Sequence, residues 1–129
     1  MILPALERGG YTYRTQVNIG IRLGGGRHRV DVLANPRHQE QFNILISLKW
    51  QQVSGTAEQK VPFEAICLAD AILTGDRRYS KAYIVLGGPG WKLRDFYVGG
   101  GLRQHLSHAE LVEILTLESF VARANQGQL

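Results

Sequence analysis

The chain predicts an α/β fold: a mixed sheet with helices on its faces. Three observations predict it. Residues 11–23 alternate in character with a period of two, as a strand with one buried face does. Residues 41–51 form a largely apolar run that passes through Ser54-Gly55 into a segment whose apolar positions recur at helical spacing. Residues 81–87, KAYIVLG, then supply another strand, and a helix between two strands implies a sheet flanked by helices.

The elements follow in order. Residues 3–8 predict a short first helix, closed by Gly9-Gly10. In the long strand that follows, Tyr11, Tyr13, Thr15, Val17, Ile19, Ile21 and Leu23 share one face, and Arg14, Gln16, Asn18 and Arg22 the other. Gly24-Gly25-Gly26 makes a turn, and residues 27–34, RHRVDVLA, return as the second strand of a hairpin. The third strand, residues 41–51, is apolar enough to lie centrally with both faces covered. Thr56 predicts a helix cap, with Gln59 at the reciprocal position of a capping box. Ala57, Val61, Ala65, Leu68 and Ile72 form the helix's apolar stripe, and Pro62 predicts a later start or a kink. Residues 87–101 read as loop, with a short strand at 94–98. Ser107 predicts an N-cap and residues 108–125 one or two closing helices, a C-terminal helical extension of the α-β-β-β-α-β core.

The 129 residues predict a single domain. No apolar run approaches a membrane span, and the start lacks the basic and apolar regions of a signal peptide. The lone Cys67 rules out an internal disulfide framework and fits a reducing, cytoplasmic setting. Net charge is +4 and unevenly spread: residues 1–105 carry 14 basic against 8 acidic side chains, and residues 106–129 carry one against three. Eleven of the 15 cations are arginines, whose planar fork suits phosphate oxygens. A nucleic-acid partner fits this balance.

Strand alternation sorts the polar residues. On the third strand Ser47, Lys49 and Gln51 share a face, a polar ridge at its C-terminal end. On the second, Asp31 sits among Val30, Val32 and Leu33. An ionised carboxylate in such a strand is costly unless paired or metal-bound. Phosphodiester cleavage needs that pairing. A divalent cation neutralises phosphate charge and acidifies a bound water, oxygen ligands suit Mg²⁺, and a nearby lysine stabilises the charged transition state.

On these residues — Asp31 in RVDVL, SLKWQ at 47–51, the 16-residue step from Asp31 to Ser47, and the α-β-β-β-α-β order — the chain resembles the PD-(D/E)XK nuclease superfamily, the restriction-endonuclease-like fold. The resemblance covers roughly residues 5–87. It implies a metal-dependent DNA endonuclease using Mg²⁺, with Mn²⁺ as substitute, and no other small-molecule cofactor. It implies that Asp31 binds metal, that Lys49 is the catalytic lysine and that Gln51 orients water or phosphate; Glu7 is the candidate for an assisting acid from the first helix. Val30 stands where the family's proline would, a variable position. Ser47 stands where the family expects Asp or Glu. Some restriction enzymes of this fold have serine there and draw the acid from the following helix. Here that helix offers Glu58 and Glu64; helical facing favours Glu64, 15 residues after Lys49, while a first-turn Glu58 also suits the helix dipole.

Arg14, Gln16 and Arg22 could lie along a DNA backbone, with Ser47 and Lys60 as further contacts. The family also implies possible homodimers, for which Leu111, Ile114, Leu115, Leu117 and Phe120 offer an apolar surface, unless they pack on their own sheet. Trp50 and Trp91 read as core or interface residues rather than base-stacking platforms. The GGPG at 87–90 is not a phosphate-binding loop, since no GK[ST] follows. His105 and His108 lack a third ligand for zinc. A non-catalytic nucleic-acid-binding or assembly module on the same fold stays open, as does an RNA-directed nuclease.

Overall fold

The computed structural model describes residues 1–129. A short helix α1 (Ile2–Arg8) leads into a hairpin of β1 (Tyr11–Ile21) and β2 (Arg27–Pro36). Then come β3 (Ile44–Trp50), α2 (Ala57–Thr74), β4 (Lys81–Gly87), α3 (Arg94–Val98), two single 3₁₀ turns, β5 (Val112–Thr116) and α4 (Leu117–Asn125). The five strands form one sheet in chain order. β1, β2 and β3 pair antiparallel; β3, β4 and β5 pair parallel. Parallel neighbours need a crossover. The first is α2 and the second runs through α3 and the 3₁₀ turns. The mixed α/β sheet flanked by helices is thus the architecture that the pattern predicts. No helix is long and apolar enough to cross a membrane.

Alternation along the central strands splits the core in two. Leu45, Ala82, Ile84 and Ile114 pack beneath α2, together with Val61, Leu68 and Tyr97. Ile44, Ile46, Tyr83 and Val85 face the other way, onto Leu6 of α1 and Phe120 of α4. Each fully buried aliphatic side chain of this kind contributes about 1.5–3 kcal/mol. Arg123 of α4 donates to Glu113 of β5, and its guanidinium lies over the Tyr83 ring, which ties the last helix to the sheet.

Three predicted elements differ. Residues 94–98 form a helix, not a strand. Residues 112–116 form a strand, not helix: Val112 and Ile114 point to the α2 side, Leu115 to the other, and both sides are covered. Its β-branched residues suit a pleated surface, and it pairs with the edge that β4 would otherwise expose. The closing helix therefore starts at Leu117. Its cap is Thr116, whose hydroxyl accepts the Ser119 N–H, and not Ser107. Ile114, Leu115, Leu117 and Phe120 are buried in the chain's own core, so they offer no surface for pairing subunits.

Helix α2 starts where the sequence places it, yet Thr56 makes no side-chain cap bond. Pro62 neither delays nor divides the helix. A proline lacks the N–H that would bond the carbonyl four residues back. That carbonyl, of Glu58, instead accepts the hydroxyl of buried Tyr97 at 2.6 Å. Helix α3 thus supplies the donor that α2 lacks.

The hairpin departs from one regular face. The Gln16–Asp31 pair drops out of the β1–β2 ladder, and Gln16 has φ 52°. Before this break Thr15 pairs with Val32, of the α1–α4 core, and Arg14 with Leu33, of the α2 core. After it Val17 pairs with Val30, both on the α2 side. The alternation slips by one, so the odd positions of β1 do not share a single face.

Candidate active site

The break that shifts the hairpin also opens the sheet. The β2–β3 ladder ends at Val32–Ile46. One residue further, the Asp31 carboxylate replaces the missing strand partner: its Oδ2 accepts the Leu48 N–H at 2.7 Å. A carboxylate accepting a backbone N–H makes a strong, charge-assisted bond. Asp31 is half-buried, held at the fork between β2 and β3.

Glu64 approaches the same stretch of β3 from above. It lies on the second turn of α2, next to the apolar stripe, and its Oε2 is 3.9 Å from Lys49 Nζ. Ser47, buried under it, also faces the carboxyl. Its Oε1 is 3.4 Å from Nε2 of His28, a buried residue of β2. Burial raises the Glu64 carboxyl, but the His28 hydrogen bond and then the Lys49 charge outweigh it and hold the carboxyl below its ordinary value. The Glu64 side chain is only 13% exposed and that of Lys49 25%, so the pair is screened from bulk water yet within reach of a substrate.

Sequence reasoning overlooked His28. Its signal was a polar side chain two residues before Val30, on an otherwise inward-facing position of a strand.

Glu58, the other helix acid, stands differently. It is 6% exposed, and its Oε1 accepts the Gln51 amide at 3.2 Å and the Lys92 N–H. Gln51 also donates to the Gly90 carbonyl at 2.7 Å. Both side chains are committed to fastening the loop at 87–92 against the end of β3. The sequence expects Glu58 at a metal and Gln51 at water or phosphate; in the fold Glu58 Oε1 and the Gln51 amide nitrogen hold the loop, while the buried Gln51 Oε1 has no hydrogen-bond partner in the chain. The GGPG run is part of this packing. Gly88 has φ 90°, and a Cβ there would stand 2.4 Å from the Gln51 carbonyl oxygen, so only glycine fits.

The remaining candidates are scattered. Glu7 accepts the Tyr13 hydroxyl at 2.8 Å and touches none of the others. Arg14 is exposed on the α2 side, opposite Leu33, and Arg22 lies near Cys67 of α2. Gln16 lines a groove on the other side of the sheet. The hairpin break separates it from the two arginines, so they form no single polar row. Lys60 is exposed on α2.

No three His, Cys, Asp or Glu side chains gather closely enough to cage a metal ion alone. Mg²⁺ does not require such a cage; it commonly takes one or two carboxylates and completes its shell with waters and substrate phosphate. Asp31 and Glu64 are the two carboxylates that reach this stretch of β3. Both reach consecutive residues of β3, one at the Leu48 amide and one at Ser47 and Lys49.

A family model described as a PD-(D/E)XK nuclease superfamily domain matches residues 2–128. No curated protein matches the chain. Among solved structures, the crystal structure of the protein of unknown function AF1548 is similar, with a TM-score of 0.54 and 14% identity over 90% of this chain and 54% of that one. The chain thus spans about half of that protein's length, and the likeness is one of fold.

Proposed function

The chain belongs to the PD-(D/E)XK nuclease superfamily, and from that premise we propose that it is a metal-dependent endonuclease that hydrolyses DNA. The observation that carries this reading is the meeting of Glu64 with Ser47 and Lys49. An acid from α2 lies over the strand position where the family's acid is missing. Members of the superfamily generally use divalent metals. Asp31 and Glu64 are the residues that would hold Mg²⁺, or Mn²⁺ in its place. When bound, the ion would neutralise phosphate charge and acidify a water.

The chain's own residues do the rest. Lys49 presents an ammonium beside the reacting phosphate and stabilises the charge that develops there. His28 and Ser47 are positioning residues that fix the Glu64 carboxylate. Gln51 and Glu58 lock the loop at 87–92 and so keep the end of β3 rigid. Arg14, Arg22 and Lys60 supply positive charge on the α2 side for the DNA backbone.

The test is cleavage of supercoiled plasmid and of a four-way junction with Mg²⁺, Mn²⁺ or EDTA. We expect metal-dependent cutting that Lys49→Ala slows about 10²- to 10³-fold. Cutting that persists in EDTA, or that Lys49→Ala leaves intact, would sink the proposal. DNA binding without any cleavage would mark a binding module on the same fold.

A further inference from the structure

Asp31 also borders a second space, on the side of the sheet away from Glu64. A groove of about 510 Å³ opens there between the start of α1, the middle of β2 and the end of β3. Ile46 and Leu48 line it together with Trp50, Thr15, Gln16 and Asp31. Trp50 is 58% exposed, although it directly follows Lys49 in a central strand. A Cβ on Gly87 would fall 2.5 Å from the indole, so one edge of the ring packs against the bare backbone of that glycine. Gln16, opposite Asp31, is held at φ 52°, a strained conformation for a side chain of its size and one that recurs where chains contact ligands. An adjoining groove of about 420 Å³ shares Trp50 and is lined by Arg94 and Glu118.

We propose that this groove takes an unpaired nucleobase of the substrate strand, stacked on Trp50. The proposal rests on the nuclease reading for the nature of the substrate. An open indole beside an aliphatic floor matches a base's flat face. Thr15 and Gln16 offer a hydroxyl and an amide, which can donate to or accept from any base edge. Arg94 meets the neighbouring phosphate. Asp31 stands at both the groove and the fork of the sheet. A second copy of the chain is the rival occupant, and the sedimentation arm of the test below reads it. The substrate class that follows is nucleic acid with a single-stranded segment at the cut: a flap, a junction, a loop or a free strand.

The chain carries its own reporter. It has two tryptophans, and Trp91 is buried while Trp50 is exposed. The experiment titrates the full chain in EDTA with a mixed-sequence single-stranded oligonucleotide and with its blunt duplex. It follows tryptophan emission and the anisotropy of a labelled oligonucleotide. The single strand should quench Trp50 and bind more tightly than the duplex. Trp50→Ala should weaken single-strand binding about 5- to 150-fold, and Trp50→Phe should restore most of it. Trp91 emission reports that both variants stay folded. Binding without quenching, or unchanged affinity in Trp50→Ala, overturns the proposal. So does a dimer in sedimentation that Trp50→Ala splits, which would assign the groove to a second copy. Cleavage is scored separately. If Trp50-dependent quenching holds while no nucleic acid is cut, the base site stands and the nuclease reading falls; cutting with a silent Trp50 gives the reverse.

Discussion

The end of β3 has two sides, and they invert the usual rule of burial. Toward α2 point Ser47, Lys49 and Gln51, and the polar groups are covered: Ser47, Gln51, Glu58 and His28 are all buried. Away from α2 point Leu48 and Trp50, and these apolar groups are exposed. Buried polar groups and exposed large apolar ones are the informative exceptions in a folded chain. Here one strand carries both, a residue apart. The physical cause is coverage. Helix α2 lies over the polar ridge, whereas α1 and α4 start only at the edge of the apolar one. The covered side is built to hold charge in fixed geometry, and the open side is built to receive something flat and apolar.

The comparison also separates two glutamates on one helix, and substitutions should divide them. Glu64→Gln keeps the shape but removes the charge next to Lys49. It should slow cleavage about 10²- to 10³-fold with little change in melting temperature. Glu58→Ala should do the opposite. It strands the Gln51 amide and the Lys92 N–H, at a cost of about 2–4 kcal/mol in stability, read in urea or thermal unfolding. If Glu58→Ala proved as stable as the parent, the loop-anchoring role would be wrong.

A smaller effect is expected at His28, which acts through Glu64. Groups that orient a metal-binding side chain typically contribute 10- to 100-fold. His28→Ala should lower activity in that range and weaken Mn²⁺ binding measured by calorimetry. His28→Gln, whose amide can still donate, should recover part of both. Equal loss in the two variants would point to packing alone.

The smallest effect tests the join between α2 and α3. Tyr97→Phe removes the donor to the Glu58 carbonyl and should cost about 1–2 kcal/mol. It should also change the alkaline limb of stability. Burial, and then the Glu58 charge, hold the Tyr97 phenol above its ordinary value. A raised folded-state pKa contributes stability that is complete below the unfolded value of about 10 and is lost as pH rises through the folded one. The parent should therefore lose stability above about pH 10 more steeply than Tyr97→Phe. Parallel slopes in melts across that window would contradict it.

Much of this was legible in the sequence because it is local. Periodicity marked β1, β3, α2 and β4, and SLKWQ marked the lysine and the serine that replaces an acid. Where patterns mislead, a distant partner decides. Residues 112–116 carry apolar positions that suit a helix as well as a strand, and only the open edge of β4 resolves them. The odd face of β1 looked continuous, yet Gln16 takes a backbone conformation that no periodicity reveals. Trp50 read as a core or interface residue; which face of β3 the helices leave uncovered is a tertiary fact.

By itself, the sequence determined the kind of fold, the strand that bears Lys49, and a choice between two acids on the helix that follows. The tertiary structure decided how each acid is used. Glu58 is spent on a loop some 34 residues away, and Glu64 meets a histidine 36 residues away. The reason is physical. Helix spacing sets which way a side chain points, but its partner is set by strands and loops brought in from elsewhere in the chain, and those contacts form only when the sheet does.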